Sequence, residues 1–319
     1  MADPTPTPVA PEEIFRSYTH EQGTTYAQGR HGYHPNLYQT IIDHHISTGG
    51  QLITILDVGC GPGTAIRELA PRFTHAIGID PSEGMISTAR SLGGASSTSQ
   101  PIRFEISVAE DLGSQLSSPI PDSSVDLITA ATAAHWFDMS GFWSRAAQVL
   151  KPGGTVALWT ISKWHPHPSM PNGPALQAAM TEFYDRHLKP YTQPSSQLAL
   201  DLYIDLPLPW NLAQPVPDFD ENTFYRKEWN KDGVCAEGDE FLMQQQTWDL
   251  DMVEKFMGTA SQVTRWRKAH PDAVGTERDV AKMVRKEVER LLHEAGVERG
   301  KEMIEGGMSG VLLMVKKRA

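Results

Sequence analysis

Cysteine is nearly absent from this chain, since only Cys60 and Cys235 occur among its 319 residues. So small a number excludes a fold that depends on a disulfide framework, and their wide separation provides no pair with metal-binding spacing. Cys60 lies inside a glycine-rich stretch, where we expect a small packed residue rather than a nucleophile. We therefore predict neither disulfides nor a metal site.

Long apolar runs and a surplus of positive charge are missing as well. No stretch is long and apolar enough to span a bilayer, so we expect no membrane partner. Residues 1–13 are acidic and rich in proline, without the basic start and apolar centre of a signal peptide. We expect this segment to be a disordered tail and the protein to be cytoplasmic. A formal net charge of −11 opposes nucleic-acid binding through bulk electrostatics, so we expect no nucleic-acid partner.

The most informative stretch runs from residue 53 to residue 80, where the pattern predicts a strand, a glycine loop, a helix and a second strand. Gly59, Gly61 and Gly63 follow an apolar run at alternate positions. Glycines let the backbone turn tightly and admit a ligand close to the main chain. The second strand ends on Asp80, whose carboxylate can accept hydrogen bonds from ribose hydroxyls. The unit therefore predicts a ligand that contains a nucleoside.

The spacing of the glycines distinguishes between two kinds of ligand that contain a nucleoside. A dinucleotide fingerprint needs its third glycine where this chain has Thr64. The third glycine comes one residue earlier, and the pattern from Asp57 through Gly59 and Gly61 to Gly63 resembles motif I of the class I S-adenosylmethionine (SAM) methyltransferases. A tight turn that binds nothing is the structural alternative.

Strands and helices alternate through this half of the chain. An alternating strand is predicted at 102–107 and buried strands are predicted at 124–130 and 155–161, and the last of them follows a Lys-Pro-Gly-Gly turn that begins at Lys151. The alternation predicts an α/β fold with a doubly wound, mostly parallel sheet. The order of the elements and this turn are similar to those of the class I methyltransferases.

The ends of the chain complete this Rossmann-like fold. Asn36 is placed to cap a helix that precedes the first core strand. Apolar periodicity predicts helices at 252–270 and 280–295. Two late strands, at 240–250 and 310–315, would complete a seven-stranded sheet.

We divide the chain into five parts. They are a disordered tail at 1–13, N-terminal lid helices at 14–50, a SAM-binding core at 51–162, a cap or substrate insertion at 163–239, and the C-terminal part of the core sheet and helices at 240–319. The insertion is rich in proline, tryptophan and tyrosine. Its aromatic side chains could line an apolar substrate pocket or build a small core of the cap itself.

Three further stretches resemble the trans-aconitate methyltransferase-like group, particularly its fungal members. They are Tyr26-x-x-x-Arg30 near the N-terminus, residues 134–138 (AHWFD) after the fourth strand, and residues 259–272 (TASQVTRWRKAHPD). One position departs from the group, since His31 stands where related sequences often have a proline. The departure puts the course of the lid in question.

The resemblance implies a role for each matching residue. The glycines would pass the methionine part of SAM, Asp80 would hold its ribose, and the N-terminal lid would close over it. The implied cofactor-binding residues are Tyr26, Arg30, Asp57, Gly59, Gly61, Gly63, Asp80, Met85, Ala109 and Glu110. His135 and Trp136 would bind the substrate and face the transferred methyl group, and His135 is the candidate catalytic residue.

The implied activity is methyl transfer from SAM to a small molecule, most simply to an oxygen. A carboxylate acceptor needs no base, whereas an alcohol or phenol would benefit from His135 as a base. A hydrogen-bonded wall residue is the structural alternative for His135. The residues leave open the identity of the acceptor, N- or C-methylation, and the oligomeric state.

Two other functions are compatible with parts of the pattern. A scaffold or regulatory protein that binds SAM without transferring its methyl group would need the same glycines and the same Asp80. A nicotinamide-dependent dehydrogenase is disfavoured by Thr64 and by the turn at Lys151.

Overall fold

The structure is a computed structural model that describes residues 14–30, 32–231, 233 and 246–319. The predicted tail at 1–13, His31 and Cys235 lie outside the described residues. The strands in chain order are β1 (Thr54–Val58), β2 (His75–Asp80), β3 (Arg103–Ile106), β4 (Val125–Ala131), β5 (Leu150–Pro166), β6 (Phe219–Trp229), β7 (Gln246–Asp249) and β8 (Met303–Lys317).

Ten α-helices surround these strands in the described part of the chain. They are α1 (His20–Gly29), α2 (Pro35–Ser47), α3 (Thr64–Leu69), α4 (Glu83–Leu92), α5 (Met139–Val149), α6 (Gly173–Phe183), α7 (Pro194–Leu200), α8 (Leu250–Gly258), α9 (Ser261–Ala269) and α10 (Val280–Glu294). A short 3₁₀ turn at Ala134–Trp136 follows β4.

The predicted α/β fold with a mostly parallel sheet is confirmed. The strand order is β3-β2-β1-β4-β5-β8-β6, with β7 also paired to β8. Strands β1 to β5 are parallel to one another, and β8 runs antiparallel to β5, β6 and β7. The carboxyl ends of the parallel strands therefore meet at one edge of the sheet, where ligands bind in such folds.

The prediction of seven strands was wrong, because the described residues form a sheet of eight strands. The additional strand is β6, which comes from the segment at 163–239 predicted as cap and pairs with β8. Its sequence, FDENTFYRKEW, is half-buried and mixes charged residues with aromatic ones. A strand that is covered on only part of its surface lacks the continuous apolar run that marked β1 and β4.

Two helix boundaries also differ from the predictions. The helix expected at 252–270 is divided into α8 and α9, because Ala260 has extended backbone (ψ 136°) between them. The cap of α2 is His34, whose ring nitrogen accepts the amide hydrogen of Asn36, and Pro35 occupies the first turn. The predicted cap at Asn36 is therefore displaced by two residues.

The sheet is buried on both faces. One face packs on α5 and on the segment after α7, with Phe142 and Trp143 fully enclosed. The other face packs on α2, α3 and α4, through residues such as Leu37 and Ile66. Each such side chain contributes roughly 1.5–3 kcal/mol on burial. The strand ends that carry the glycine loop are thereby held on a rigid base.

No helix in the described ranges combines the length and the apolar character needed to cross a membrane.

The lid helix α1 lies directly on the backbone of α4. A Cβ atom added at Gly84 would lie 2.1 Å from the carbonyl oxygen of Tyr18, and one added at Gly23 would lie 2.9 Å from the carbonyl oxygen of Gly84. Thr19 and Gln22 start α1 with a reciprocal capping box, which sets the direction in which the chain enters the helix. The lid is therefore placed by a backbone-to-backbone contact that tolerates no side chain at either glycine.

We predict that Gly84→Ala displaces the lid. The new methyl group must push residues 18–19 outward, and such overpacking costs about 1–3 kcal/mol, offset in part by the better helix propensity of alanine. Limited proteolysis should cut residues 14–29 faster than in the wild type. Gly258→Ala is the matched control, because its nearest neighbour would lie at an ordinary 3.6 Å. Equal cleavage rates for wild type and Gly84→Ala would contradict this contact.

Candidate active site

The glycine loop after β1 begins the site. Gly59 and Gly61 have left-handed backbone, with φ of 63° and 55°, which favours glycine. Between them, the amide of Cys60 donates a hydrogen bond to the carbonyl of Ile79 (3.0 Å). The loop is thus attached to the end of β2, the neighbouring strand.

Asp80 makes the second attachment of this loop. Its Oδ2 accepts the amide hydrogen of Gly61 and its Oδ1 accepts that of Ser82, both at 2.9 Å. The side chain is buried, with the residue 8% exposed. Two backbone donors offset the cost of burying the carboxylate. A carboxylate offers about four lone-pair sites, which suits it to accept hydrogen bonds from ligand hydroxyl groups as well as from backbone amides.

A cavity of about 140 Å³ lies against the loop and Asp80, and we name it the loop cavity. The structure brings together most of the residues implied as cofactor-binding. Those that line the loop cavity are Tyr26, Arg30, Gly59, Gly61, Asp80, Met85, Ala109 and Glu110. Trp136, implied as substrate-binding, also lines it.

Two implied residues, Asp57 and Gly63, do not line the loop cavity. Gly63 caps α3 with left-handed backbone, and a Cβ there would lie 2.7 Å from the guanidinium of Arg67, so packing explains this glycine. Asp57 is fully buried behind the loop, where Oδ1 accepts the hydroxyl hydrogen of Thr129 (2.6 Å). Its Oδ2 is buried without a hydrogen-bond partner among the described residues. Burial raises the pKa of Asp57 to about 7.

The lid covers the loop cavity with aromatic rings. Phe15 lies edge-on to Tyr26 and to Trp136, at centroid distances of 5.8 and 6.1 Å. The guanidinium of Arg30 lies over Tyr26 and over Phe256 of α8, at 5.5 and 5.2 Å from the ring centroids. Its Nε is buried without an acceptor in the described part of the chain. The guanidinium of Arg30 therefore places a positive charge among the aromatic rings that cover the loop cavity.

A larger cavity of about 410 Å³ lies under the cap, and we name it the cap cavity. It is lined mainly by apolar and aromatic side chains of α6, α8, α10 and β8, including Leu176, Met180, Phe183, Val253 and Met308. The two cavities share a set of wall residues, which are Phe15, Tyr26, Arg30, Thr132, Trp136, Ile161 and Phe256. A ligand in one cavity would therefore lie next to a ligand in the other.

His135 lines the cap cavity and not the loop cavity. Its Nδ1 lies 3.0 Å from the phenol oxygen of Tyr203. Burial, and secondarily the charge of Arg30, lower the pKa of His135 to about 3. The imidazole is therefore neutral at physiological pH, and its other nitrogen is left for the cavity.

Several site residues carry no clear signal in the sequence. Tyr33, at the end of the lid, bonds through its hydroxyl to Thr132 (2.8 Å), and both line the loop cavity. Thr132 has left-handed backbone (φ 52°), which is strained for a β-branched residue. Phe256 comes from α8 and Tyr203 from the cap. Of these residues, only Tyr33 lies in a stretch with a recognisable pattern, which is the aromatic-rich segment near the N-terminus.

The donors and acceptors of the loop cavity fit a nucleoside that ends in an amino acid. The carboxylate of Asp80 lines the cavity and can accept hydrogen bonds from the hydroxyl groups of a ribose. The left-handed glycines let the ligand approach the main chain. SAM has these features.

Comparison with known proteins also indicates SAM as the ligand. The sequence profile of a family described as a methyltransferase domain matches residues 56–158. A Saccharomyces cerevisiae protein assigned as a SAM-dependent methyltransferase is 26% identical over 273 residues, covering 84% of this chain and 87% of that protein. A malonyl-[acyl-carrier protein] O-methyltransferase of Dechloromonas aromatica is 31% identical over 109 residues, covering 34% of this chain and 36% of that protein.

The fold has a close counterpart among solved structures. A protein of Anaeromyxobacter dehalogenans assigned as a type II methyltransferase superposes with a TM-score of 0.56 and 21% identity, covering 91% of this chain and 97% of that one. The matched domain and the similarity to a SAM-dependent methyltransferase confirm the predictions of a SAM-dependent methyltransferase enzyme and of SAM as its cofactor, and the solved structure confirms the fold.

Proposed function

We propose that the enzyme transfers the methyl group of SAM to an oxygen of a small molecule held in the cap cavity. The observation that carries this proposal is the shared wall of the two cavities, where Arg30, Thr132 and Trp136 contribute to both. A donor in the loop cavity and an acceptor in the cap cavity would then approach each other at that wall. Proximity and orientation supply much of the rate of such a transfer.

The residues of the loop cavity are proposed to hold the cofactor. Asp80 would accept the ribose hydroxyls, Met85 and Ala109 would flank the adenine with Glu110 at its border, and Tyr26 and Arg30 would close the lid. Gly59 and Gly61 would give the methionine part access to the main chain. SAM supplies a sulfonium-activated methyl group when bound. The enclosing aromatic rings would exclude water from that group.

The environment of His135 favours an acceptor that needs no base. A pKa of about 3 makes this imidazole a poor match for removing the proton of an alcohol or phenol at neutral pH. A carboxylate oxygen is already a nucleophile, and the neutral ring can still hydrogen-bond to it. Similarity to a protein named as an O-methyltransferase of malonyl-[acyl-carrier protein] supports oxygen as the acceptor atom.

We further propose that the enzyme belongs to the trans-aconitate methyltransferase-like group. The three stretches that suggested the group all contribute to the two cavities. Tyr26 and Arg30 lie at the shared wall, His135 and Trp136 line the cap cavity, and Ser261 lines it from the third stretch. That clustering supports a common role for the stretches in binding.

Asp80→Ala should weaken SAM binding by about 10- to 100-fold, because hydrogen bonds to a charged group contribute roughly 1.5–3 kcal/mol. The variant also loses the attachment of Gly61 to β2. Isothermal titration with SAM and with S-adenosylhomocysteine measures the change. The control is Asp122→Asn, which removes one negative charge from an exposed surface position. Equal affinity in Asp80→Ala and wild type would contradict the ribose role.

Asp57 should make the ligand-free protein less stable as the pH rises. The folded state holds this proton up to about pH 7, whereas the unfolded chain releases it near pH 3.8. The free energy of unfolding should therefore fall between these values, by up to a few kcal/mol. Urea unfolding at several pH values measures this free energy. The Asp57→Asn variant should lack the part of its pH dependence that comes from Asp57. An unchanged pH dependence in Asp57→Asn would show that the carboxyl is already ionised in the folded state.

His135→Gln should retain SAM binding and lower turnover by about tenfold, the effect of one lost hydrogen bond to the acceptor. Because the imidazole is neutral above about pH 3, the fractional loss should be the same throughout the neutral range. A screen of carboxylic acids and phenols with methyl-labelled SAM would identify acceptors and measure turnover. No labelled product from any oxygen acceptor would contradict O-methylation. A loss that grows or shrinks with pH would indicate a base.

A further inference from the structure

The guanidinium of Arg30 is a cation without a counter-charge. Its Nε is buried without an acceptor, and no ion pair or hydrogen bond joins the group to any residue that the structure describes. It lies instead over the rings of Tyr26 and Phe256, 5.5 and 5.2 Å from their centroids. Ring faces attract a cation but leave its charge in place. Buried charges are ordinarily paired, so this cation fits an anion that comes from a ligand.

A close contact between two helices determines where this cation lies. Gly29 is buried at the end of α1, and a Cβ atom there would lie 2.7 Å from Cγ2 of Thr259 and 3.2 Å from the carbonyl oxygen of Lys255. The end of the lid therefore rests on the end of α8, the helix that also carries Phe256. This packing places Arg30, the next residue, at the wall that the two cavities share.

The cap cavity has a surplus of positive charge. Its charged lining residues, among those described, are the cations Arg30, Lys163 and Lys189 and the single carboxylate of Asp185. Lys189 pairs with Asp185 at 3.0 Å, which leaves Arg30 and the exposed Lys163 without a carboxylate on the cavity wall. The whole chain has a net charge of −11, so this surplus is local. A cleft lined by one sign of charge concentrates ligands of the opposite sign.

The loop cavity lacks this surplus. Arg16 and Arg30 line it together with Asp80 and Glu110, so its cations and carboxylates are equal in number. Arg30 borders both cavities, but the excess of cations is found in the cap cavity alone. The anion that would balance the guanidinium is therefore expected on the side of the cap cavity.

The remainder of the cap cavity is large and apolar. Its volume of about 410 Å³ is nearly three times the 140 Å³ of the loop cavity. Met180, Phe183, Val253, Met257 and Met308 are among the residues that line it. A small acid with several carboxylates would place some of them against these side chains, at a high cost in desolvation. One anionic group on a bulky apolar body fits both parts of the cavity.

We propose that the methyl acceptor is a bulky apolar molecule with one carboxylate, and that Arg30 selects it by pairing with that carboxylate at the shared wall. The inference rests on the proposed function and makes its acceptor specific. The planar guanidinium presents several N–H donors in an arrangement that matches a carboxylate. Because Arg30 also lines the loop cavity, a carboxylate bound there lies next to the methyl donor.

Methylation removes the charge that Arg30 recognises. A lone pair of one carboxylate oxygen forms the new C–O bond with the methyl carbon, while the C–S bond breaks and its electron pair stays on sulfur. The products are a neutral ester and a neutral thioether, and no proton moves. The ester no longer pairs with the guanidinium, so it binds less tightly than the acid, which favours product release.

Acids and their primary amides test the preference for charge, because each amide has nearly the shape of its acid. The probes are decanoic acid with decanamide, 2-naphthoic acid with 2-naphthamide, and citric acid as a small polyacid. They are titrated into wild-type protein loaded with S-adenosylhomocysteine at neutral pH. We expect at least one apolar acid to bind tenfold or more tightly than its amide and than citric acid. Equal affinities within both pairs, or no binding by either apolar acid, would overturn the proposal.

Variants show whether Arg30 causes the preference. Arg30→Gln should lower the affinity for the acid by about 10- to 100-fold and leave that for the amide within about threefold. Arg30→Lys keeps the charge but not the planar donors, so it should retain only part of the preference. Arg186→Gln is the matched control, since Arg186 is an exposed arginine of the cap that pairs with Glu182 and lines neither cavity.

The same variants can contradict the role of Arg30. An unchanged preference for the acid in Arg30→Gln, or its loss in Lys163→Gln instead, would overturn that role. If Arg30→Gln does not fold, a preference in Arg30→Lys equal to that of the wild type would overturn the pairing.

Titration with SAM distinguishes the two carboxylates that could reach Arg30, since SAM carries one in its methionine part. We expect Arg30→Gln to change the affinity for SAM by less than about threefold. A tenfold loss of SAM affinity with the acid preference intact would assign the guanidinium to the cofactor and overturn the proposal. Wild-type protein that binds the acids but transfers no labelled methyl group to any oxygen would contradict the proposed function and leave the pairing with Arg30 intact.

Discussion

The buried carboxylate of Asp80 is the interaction on which the site depends. It accepts the amide of Gly61 on one side and the amide of Ser82 on the other. One side chain thereby joins the glycine loop after β1 to the turn that starts α4. Charge-assisted hydrogen bonds of this kind are roughly twice as strong as neutral ones. The loop is preorganised before any cofactor arrives, which lowers the ordering cost of binding.

A second constraint is the contact of the lid with α4. Gly23 and Gly84 let the two backbones touch, and α1 therefore holds Tyr26 and Arg30 over the carboxyl edge of the sheet. The lid does not merely cover the loop cavity. Because Tyr26, Arg30 and Phe256 also line the cap cavity, the two cavities share one wall. A change in the lid would therefore affect both cavities.

The environment of His135 in the fold determines its protonation state and therefore its chemistry. A histidine beside a substrate pocket suggests a base, since its ordinary pKa lies near neutrality. In the fold it is enclosed, bonded to Tyr203 and close to the charge of Arg30, and each of these was invisible in the local sequence. Its neutral ring is suited to orienting an oxygen. The stretch at 134–138 made this residue a site candidate, while its surroundings had to come from the fold.

The sequence by itself determined the features whose physics is local. Apolar runs marked β1, β2 and β4, glycines with left-handed backbone marked the loop, and Asp80 at the end of β2 marked the ligand edge, because each depends on a few neighbouring residues. Tertiary structure alone decided the rest. The half-buried β6 is a strand because β8 pairs with it. Phe256 and Tyr203 belong to the site only because the chain returns to the carboxyl edge after more than sixty residues, a contact that no local pattern encodes.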